Sequence, residues 1–451
     1  MDNPAASEGL APERLELAMG ELKPAYSDSQ AITEANRCLF CYDAPCIKVC
    51  PTSIDIPGFI RKISTGNVQG AAKTILEANI LGHSCARVCP VEVLCVGDCV
   101  YNLEHKPPIE IGRLQRYATD RSIAQGLKHF EVGQPTGIKV ALIGAGPASL
   151  ACAHELRLLG HEAVIFEGRD VPGGLNTTGV APYKMFADIA MEEVEFILSF
   201  GVELRCGVLV GRDVTLEALE EEFDAIFLGV GLGADGWPGV AGEDLDGVWG
   251  AVDLIEHIKL DPDFDLGSVN EAVVIGGGNT AVDIARELGK LGIANVKMVY
   301  RRDEAAMGGY DHEYDYAKRE GIAGVWWRQP VAFEGDGGKV TGVRVGRTQV
   351  VNGRVKVLDE EEVITADLVA LAVGQGKQVE FLRSIAGLDL DRADRVQINV
   401  ETGQTTNPAY FSGGDCVNGG KEVVNAAHDG KVAAHGIDGW LRSTGRLKGD
   451  D

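Results

Sequence analysis

The feature that most constrains this chain is a run of thiols: eight of its eleven cysteines fall between Cys38 and Cys99. The first half supplies Cys38, Cys41, Cys46 and Cys50, and the second Cys85, Cys89, Cys95 and Cys99. Soft thiolates in two groups at short spacing, with proline after Cys50 and Cys89, suit iron–sulfur clusters better than a tetrahedral zinc ion, although softness alone suits either metal. A disulfide framework is the third reading. It needs an oxidising compartment, usually in a small secreted chain, whereas this chain is long and its acidic N-terminus lacks the basic-then-apolar pattern of an export signal. No apolar run approaches the roughly 18 residues of a membrane span. A soluble, cytoplasmic protein with no membrane partner is expected.

Charge narrows the partners further. A net charge of -25, with no basic run to offset it, repels nucleic-acid phosphates. A length of 451 residues leads us to expect two to four domains, and 58 glycines suit a fold with several phosphate-cradling turns. Residues 1–27 are polar, with only a loose helical stripe of Leu10, Leu15, Leu17, Met19 and Leu22, and read as a partly ordered arm. Ser27, Asp28 and Ser29 offer capping side chains for a short helix over 30–36. Further helices are expected from Asp55-Ile56-Pro57 to Gly66 and over 69–77. Helices between cysteine-bearing loops make a domain held largely by its metal ligands.

Beyond a connecting segment the pattern changes. Residues 138–143 form a buried parallel-strand candidate that runs into Gly144-Ala145-Gly146-Pro147-Ala148-Ser149 and a helix over 150–159. Glycines let backbone approach a pyrophosphate, and the helix N-terminus favours its charge. Ser149 stands where glycine or alanine is usual. The next strand, 163–166, ends at Glu167, 21 residues after Gly146, where a carboxylate can bind ribose hydroxyls. A second such unit starts with a strand at 272–275, turns through Gly276, Gly277, Gly278, Asn279 and Thr280, and continues as a helix through Leu291. Its second strand, 296–300, ends in Arg301-Arg302 with no carboxylate. Two guanidinium groups suit the 2′-phosphate of NADPH; the plain alternative is a solvated basic pair. Strand candidates at 224–231 and 367–374 both end in glycine, and the chain returns at 409–415 before a helix near Val423. The second unit therefore reads as an insert. The expected fold class is α/β: a helical iron–sulfur domain over 1–130, one dinucleotide domain over 137–245 and 374–451, and the other over 246–373.

The segments Arg37–Cys46, Asn79–Pro90 and Leu94–Cys99 resemble the N-terminal iron–sulfur domain of dihydropyrimidine dehydrogenase, and glutamate synthase small subunits share its outline. The resemblance covers nearly the whole chain and is greatest to the electron-input subunits of bacterial NAD-dependent dihydropyrimidine dehydrogenases. It implies two 4Fe-4S clusters, one on Cys38, Cys41, Cys46 and Cys99, the other on Cys50, Cys89, Cys95 and Gln115, with Cys85 a non-ligand. Chemistry alone favours Cys85, because a thiolate is the better iron ligand. The later segments resemble flavoproteins with two dinucleotide domains. That likeness implies FAD at the first turn, with Gly174 and Leu175 in a flavin-contacting loop, Lys184 in a basic flavin-contacting segment where arginine is usual, and Gly414 and Asp415 at the ribitol.

Those parts imply hydride transfer from NADPH or NADH to FAD, then single electrons through the clusters. The related electron-input subunits are NADH-linked, so resemblance and Arg301-Arg302 pull apart. The two parts leave no room for a substrate barrel of roughly 250 residues. The resemblance places pyrimidine reduction in a separate FMN- and iron–sulfur-bearing barrel subunit, in a hetero-oligomer. A glutamate synthase small subunit, or an adaptor with a vestigial nucleotide site, stays open. Cys152 and Cys206 read as buried structural thiols and Cys416 as a packing residue. No Cys-x-x-Cys pair follows residue 99, which argues against a dithiol–disulfide reductase. No acid–base role is assigned to His83, His312, His428 or His435, since hydride transfer needs positioning and no obligatory proton donor.

Overall fold

Local capping fixes the first helices. In the computed structural model, which describes residues 10–447, Ser27 and Gln30 close a reciprocal capping box at the helix Asp28–Ala35. Asp55 accepts from the Gly58 N–H at the start of Ile56–Ser64, and Asn67 from the Gly70 N–H at the start of Val68–Ala78. With Gly82–Val88 and Ile111–Ala124 these helices enclose a core that includes Phe59, Ile60, Ile63, Ile75 and Leu114. Cys38, Cys46, Cys50, Cys89, Cys95 and Cys99 pack against that core from partly buried positions.

Of the arm, residues 10–27 are anchored more firmly than its weak stripe suggests. Glu16 is fully buried and accepts from the Ala187 N–H, Met19 joins the core of the second dinucleotide unit, and Lys23 pairs with Glu92 at 3.0 Å. Residues 1–9 lie outside the described chain.

Two parallel sheets follow. The first begins with β1 (Lys139–Ile143), β2 (Glu162–Phe166), β3 (Glu203–Arg205) and β4 (Ala225–Leu228). The chain then leaves to build β5 (Val248–Gly250), β6 (Glu271–Ile275), β7 (Asn295–Tyr300) and β8 (Ala323–Trp326). Three antiparallel strands come next, β9 (Arg328–Asp336), β10 (Lys339–Val351) and β11 (Arg354–Thr365), before β12 (Leu368–Leu371) completes the second sheet. Finally β13 (Tyr410–Ser412) rejoins the first sheet. The orders are β13-β4-β1-β2-β3 and β5-β12-β6-β7-β8. In each, the chain turns back beside the first strand of the unit, and that reversal opens a crevice at the carboxyl ends of the strands. The small β11-β10-β9 sheet was not expected from the sequence. Among the described residues no helix is long and apolar enough to cross a membrane.

Candidate functional site

The two turns are built alike. Gly144 has φ +90°, and a side chain there would come within 2.6 Å of the Gly229 carbonyl oxygen beyond β4. Gly276 has φ +153°, with the Ala372 carbonyl oxygen 2.4 Å from the same position beyond β12. Only glycine fits either site. The helices that follow, Pro147–Leu158 and Asn279–Lys290, start at Gly146 and Gly278 with no side chain capping their first N–H groups. Such free donors suit a pyrophosphate.

Around the first turn the expected residues converge. Glu167, at the end of β2, accepts from the Ala145 N–H at 2.7 Å and from the Arg169 N–H at 2.9 Å. A side chain on Gly174 would reach 2.8 Å from the Gly146 Cα, so the loop carrying Leu175 lies against the turn. A side chain on Gly414 would come within 3.1 Å of the Ala148 Cβ, and Asp415 opens a short helix where burial raises its carboxyl pKa. The buried hydroxyl of Ser149 has no hydrogen-bond partner among the described residues. Lys184 is already engaged: its ammonium lies 2.7 Å from Asp283 and 2.9 Å from Glu313, both in the second unit. Lys259, which sequence reasoning missed, is wholly buried and donates to the carbonyls of Asn176, Val180 and Met185. Burial pulls its ammonium down to about 8.

At the second turn, Asn279 accepts from the Tyr310 N–H at 2.9 Å, and Thr280 is exposed. Arg301 is exposed and Arg302 half-buried, and neither guanidinium makes a hydrogen bond or ion pair among the described residues. Their backbones are pinned by Thr348 of β10 on the Arg301 carbonyl and by the Trp327 N–H, between β8 and β9, on that of Arg302.

The thiols sort into two sets. Cys38, Cys41, Cys46 and Cys99 line one cavity with Ile56, Ile60 and Ile109. Burial first, then the neighbouring Cys38, Cys99 and Cys41, push the Cys46 thiol up to about 12. These four line one space, and four thiolates there suit an iron–sulfur cluster. The second set gathers at the helix Gly82–Val88: Cys89 is raised by a hydrogen bond to Cys85, by burial and by Cys95 and Cys50 nearby. Cys85 is buried and accepts from the Asn79 amide at 3.2 Å; Gln115, also buried, donates its amide nitrogen to the Gly82 carbonyl at 2.7 Å. Both candidates for the eighth ligand therefore stand at one helix. Cys152 and Cys416 are buried, as expected, but Cys206 is only half-buried, because the chain leaves the sheet edge at β3 just before it.

The helix also carries an anchor that no sequence signal announced. Glu193, from the helix Ala187–Leu198 of the first unit, accepts from the His83 and Ser84 N–H groups at 2.9 and 3.1 Å and from the Ser84 hydroxyl. Asp120, held well below the usual carboxylate range by His83 and Arg87 despite its burial, secures the other side.

Comparison with known proteins agrees with this division. Residues 16–127 match the family model for dihydropyrimidine dehydrogenase domain II, 4Fe-4S cluster, and residues 138–430 match that for pyridine nucleotide-disulphide oxidoreductase. The small chain of NADPH glutamate synthase from Escherichia coli K12 is 36% identical over 93% of this chain and 93% of its own. The NAD-dependent dihydropyrimidine dehydrogenase subunit PreT of the same organism is 36% identical over 94% of this chain and 97% of its own. Among solved structures, FprA from Mycobacterium tuberculosis in complex with NADPH aligns with a TM-score of 0.56 and 20% identity over 70% of this chain and 88% of that one. Thioredoxin reductase from T. acidophilum aligns at 0.54 and 22%, over 68% and 98%; these two show the fold. The conclusion from cysteine sets, paired turns and relatives is that the chain belongs to the pyridine nucleotide-disulphide oxidoreductase family, as one of its NAD(P)-dependent flavin and iron–sulfur electron-transfer members alongside glutamate synthase small chains and PreT.

Proposed function

We propose that this chain is the electron-input subunit of a larger cytoplasmic enzyme, and that its partner is an FMN- and iron–sulfur-bearing barrel subunit that reduces uracil or thymine to the dihydropyrimidine. The observation that carries this reading is the order of the parts. Cys50, Cys85 and Cys89 pack against the core of the first dinucleotide unit, whereas Cys38, Cys41, Cys46 and Cys99 lie farther out. Beside that outer set, Leu39, Tyr42 and Leu103 are exposed by 51%, 107% and 82%, an apolar rim suited to another protein surface.

In this reading Cys38, Cys41, Cys46 and Cys99 hold one 4Fe-4S cluster, and Cys50, Cys89, Cys95 and Gln115 the other. The Gln115 amide nitrogen is spent on Gly82, which leaves its oxygen as the ligand atom. Gly144, Gly146, Pro147, Ala148, Ser149, Glu167, Gly174, Leu175, Gly414 and Asp415 form the FAD cradle, and Lys184 supports it through Asp283 and Glu313. Gly276, Gly278, Asn279 and Thr280 receive the pyridine nucleotide, with Arg301 and Arg302 free for a 2′-phosphate. When bound, the flavin converts a two-electron hydride donor into single electrons, which iron–sulfur clusters carry one at a time.

A second reading, the small chain of a glutamate synthase, is favoured by those unengaged guanidinium groups. They suit NADPH, the nucleotide named for the glutamate synthase relatives, whereas PreT is named NAD-dependent. Anaerobic isolation from the native cell tests both. Recovery with an FMN-containing barrel subunit, and uracil-dependent oxidation of nicotinamide by the complex, supports the first reading; recovery with an amidotransferase-bearing large subunit replaces it with the second.

A further inference from the structure

Hydride transfer demands that ligands held by two separate sheets meet within about 3–3.5 Å. One short segment ties the two cradles together. The Gly308 and Gly309 N–H groups both donate to the Gly277 carbonyl, at 2.8 and 3.0 Å, so the segment is laid directly on the second turn. The next residue, Tyr310, donates its N–H to Asn279 and its hydroxyl to Glu422 Oε1 at 2.7 Å. Glu422 immediately precedes the helix Val423–Ser443 of the first unit, yet its side chain caps none of that helix's N–H groups. It is spent on Tyr310. The Tyr310 ring also stacks on His312 at 5.7 Å between centroids, and His312 Nε2 lies 3.4 Å from Glu92, between Cys89 and Cys95.

We propose that Tyr310 is a positioning residue for hydride transfer, its bond to Glu422 setting the approach of the pyridine-nucleotide turn to the flavin-side helix. The inference rests on the reading that the two turns hold NAD(P)H and FAD. A hydroxyl–carboxylate bond is short and geometrically strict, and misplacement of reacting groups by about 1 Å costs on the order of 100-fold in rate. Burial, then Glu422, push the Tyr310 hydroxyl up to about 12, so it remains a donor at neutral pH.

The test compares Tyr310→Phe, Glu422→Ala, the double variant and Glu422→Gln, which keeps an acceptor oxygen, all as FAD-loaded protein. Three quantities are measured: anaerobic nucleotide affinity, the limiting rate of flavin reduction, and hydrogen–deuterium exchange at 308–313 and 423–426 without nucleotide. Tyr310→Phe and Glu422→Ala are expected to slow flavin reduction about 10-fold while nucleotide affinity stays within about twofold. The double variant is no slower than either single, Glu422→Gln stays near the parent rate, and exchange rises in both segments together. A parent rate in Tyr310→Phe, multiplying effects in the double variant, or exchange that rises in one segment only overturns the proposal. If the unaltered protein reduces no flavin with NADPH or NADH, the assignment of the turns falls, and the proposal with it.

Discussion

Cys85 and Gln115 both stand at the helix Gly82–Val88 and are rival candidates for one place in the proposed ligand set, so iron content decides between them. Cys85→Ala is expected to retain about eight irons per chain, and Gln115→Ala to lose or labilise one cluster. A fall to about four irons in Cys85→Ala reverses the assignment. At another residue the measurement is acid stability. His154 is buried among Phe130 and Phe200, its Nε2 has no partner among the described residues, and burial pulls its imidazole down to about 4. Between pH 6.5 and about 4 the unfolded chain binds a proton there that the folded chain does not, so this contribution is present at neutral pH and is lost as pH falls through that window. Linkage puts the loss at about 3 kcal/mol. His154→Leu is expected to flatten this limb of the pH dependence of Tm; an unchanged slope contradicts the assignment.

Among elements, the helix Gly82–Val88 is too short to persist by itself, and its first N–H groups are satisfied from another domain by Glu193. Glu193→Ala removes the acceptor of three buried donors, the His83 and Ser84 N–H groups and the Ser84 hydroxyl. We expect it to cost about 2 kcal/mol or more in urea unfolding and to speed iron release from the protein; release at the parent rate removes the anchoring role. This helix also marks where sequence reading stopped. A cap at Ser27 was legible because capping acts over three residues, although the helix starts at Asp28, two residues before its expected start, and both dinucleotide turns because glycine spacing, strand and helix lie in one stretch. Glu193 with Ser84, and Tyr310 with Glu422, join residues over a hundred positions apart, and nothing local distinguishes them from surface carboxylates. The strands β9–β11 escaped notice for a different reason. Most of β11 is exposed on both faces, so the alternation that reveals a half-buried strand is missing. Lys184 was legible as a basic residue near the flavin segment, but its pairing with Asp283 and Glu313 depended on how two units dock.

For the whole molecule, the proposed docking of a partner on the apolar rim beside the outer cysteines predicts that internal electron flow and delivery can be separated. Leu103→Asp is expected to leave nicotinamide-dependent reduction of ferricyanide unchanged while cutting turnover with the native partner about 10-fold. Equal turnover with the partner argues that docking occurs elsewhere. The interrupted first sheet has a consequence for how the protein is made. All eight clustered thiols have been synthesised by residue 99, but β13 and Asp415 follow the entire second unit. Until then β4 remains an open edge, able to pair with the wrong strand. Maturation therefore has a direction written into the chain: iron can be received early, and the cradle proposed for the flavin is closed only by the last of the described strands.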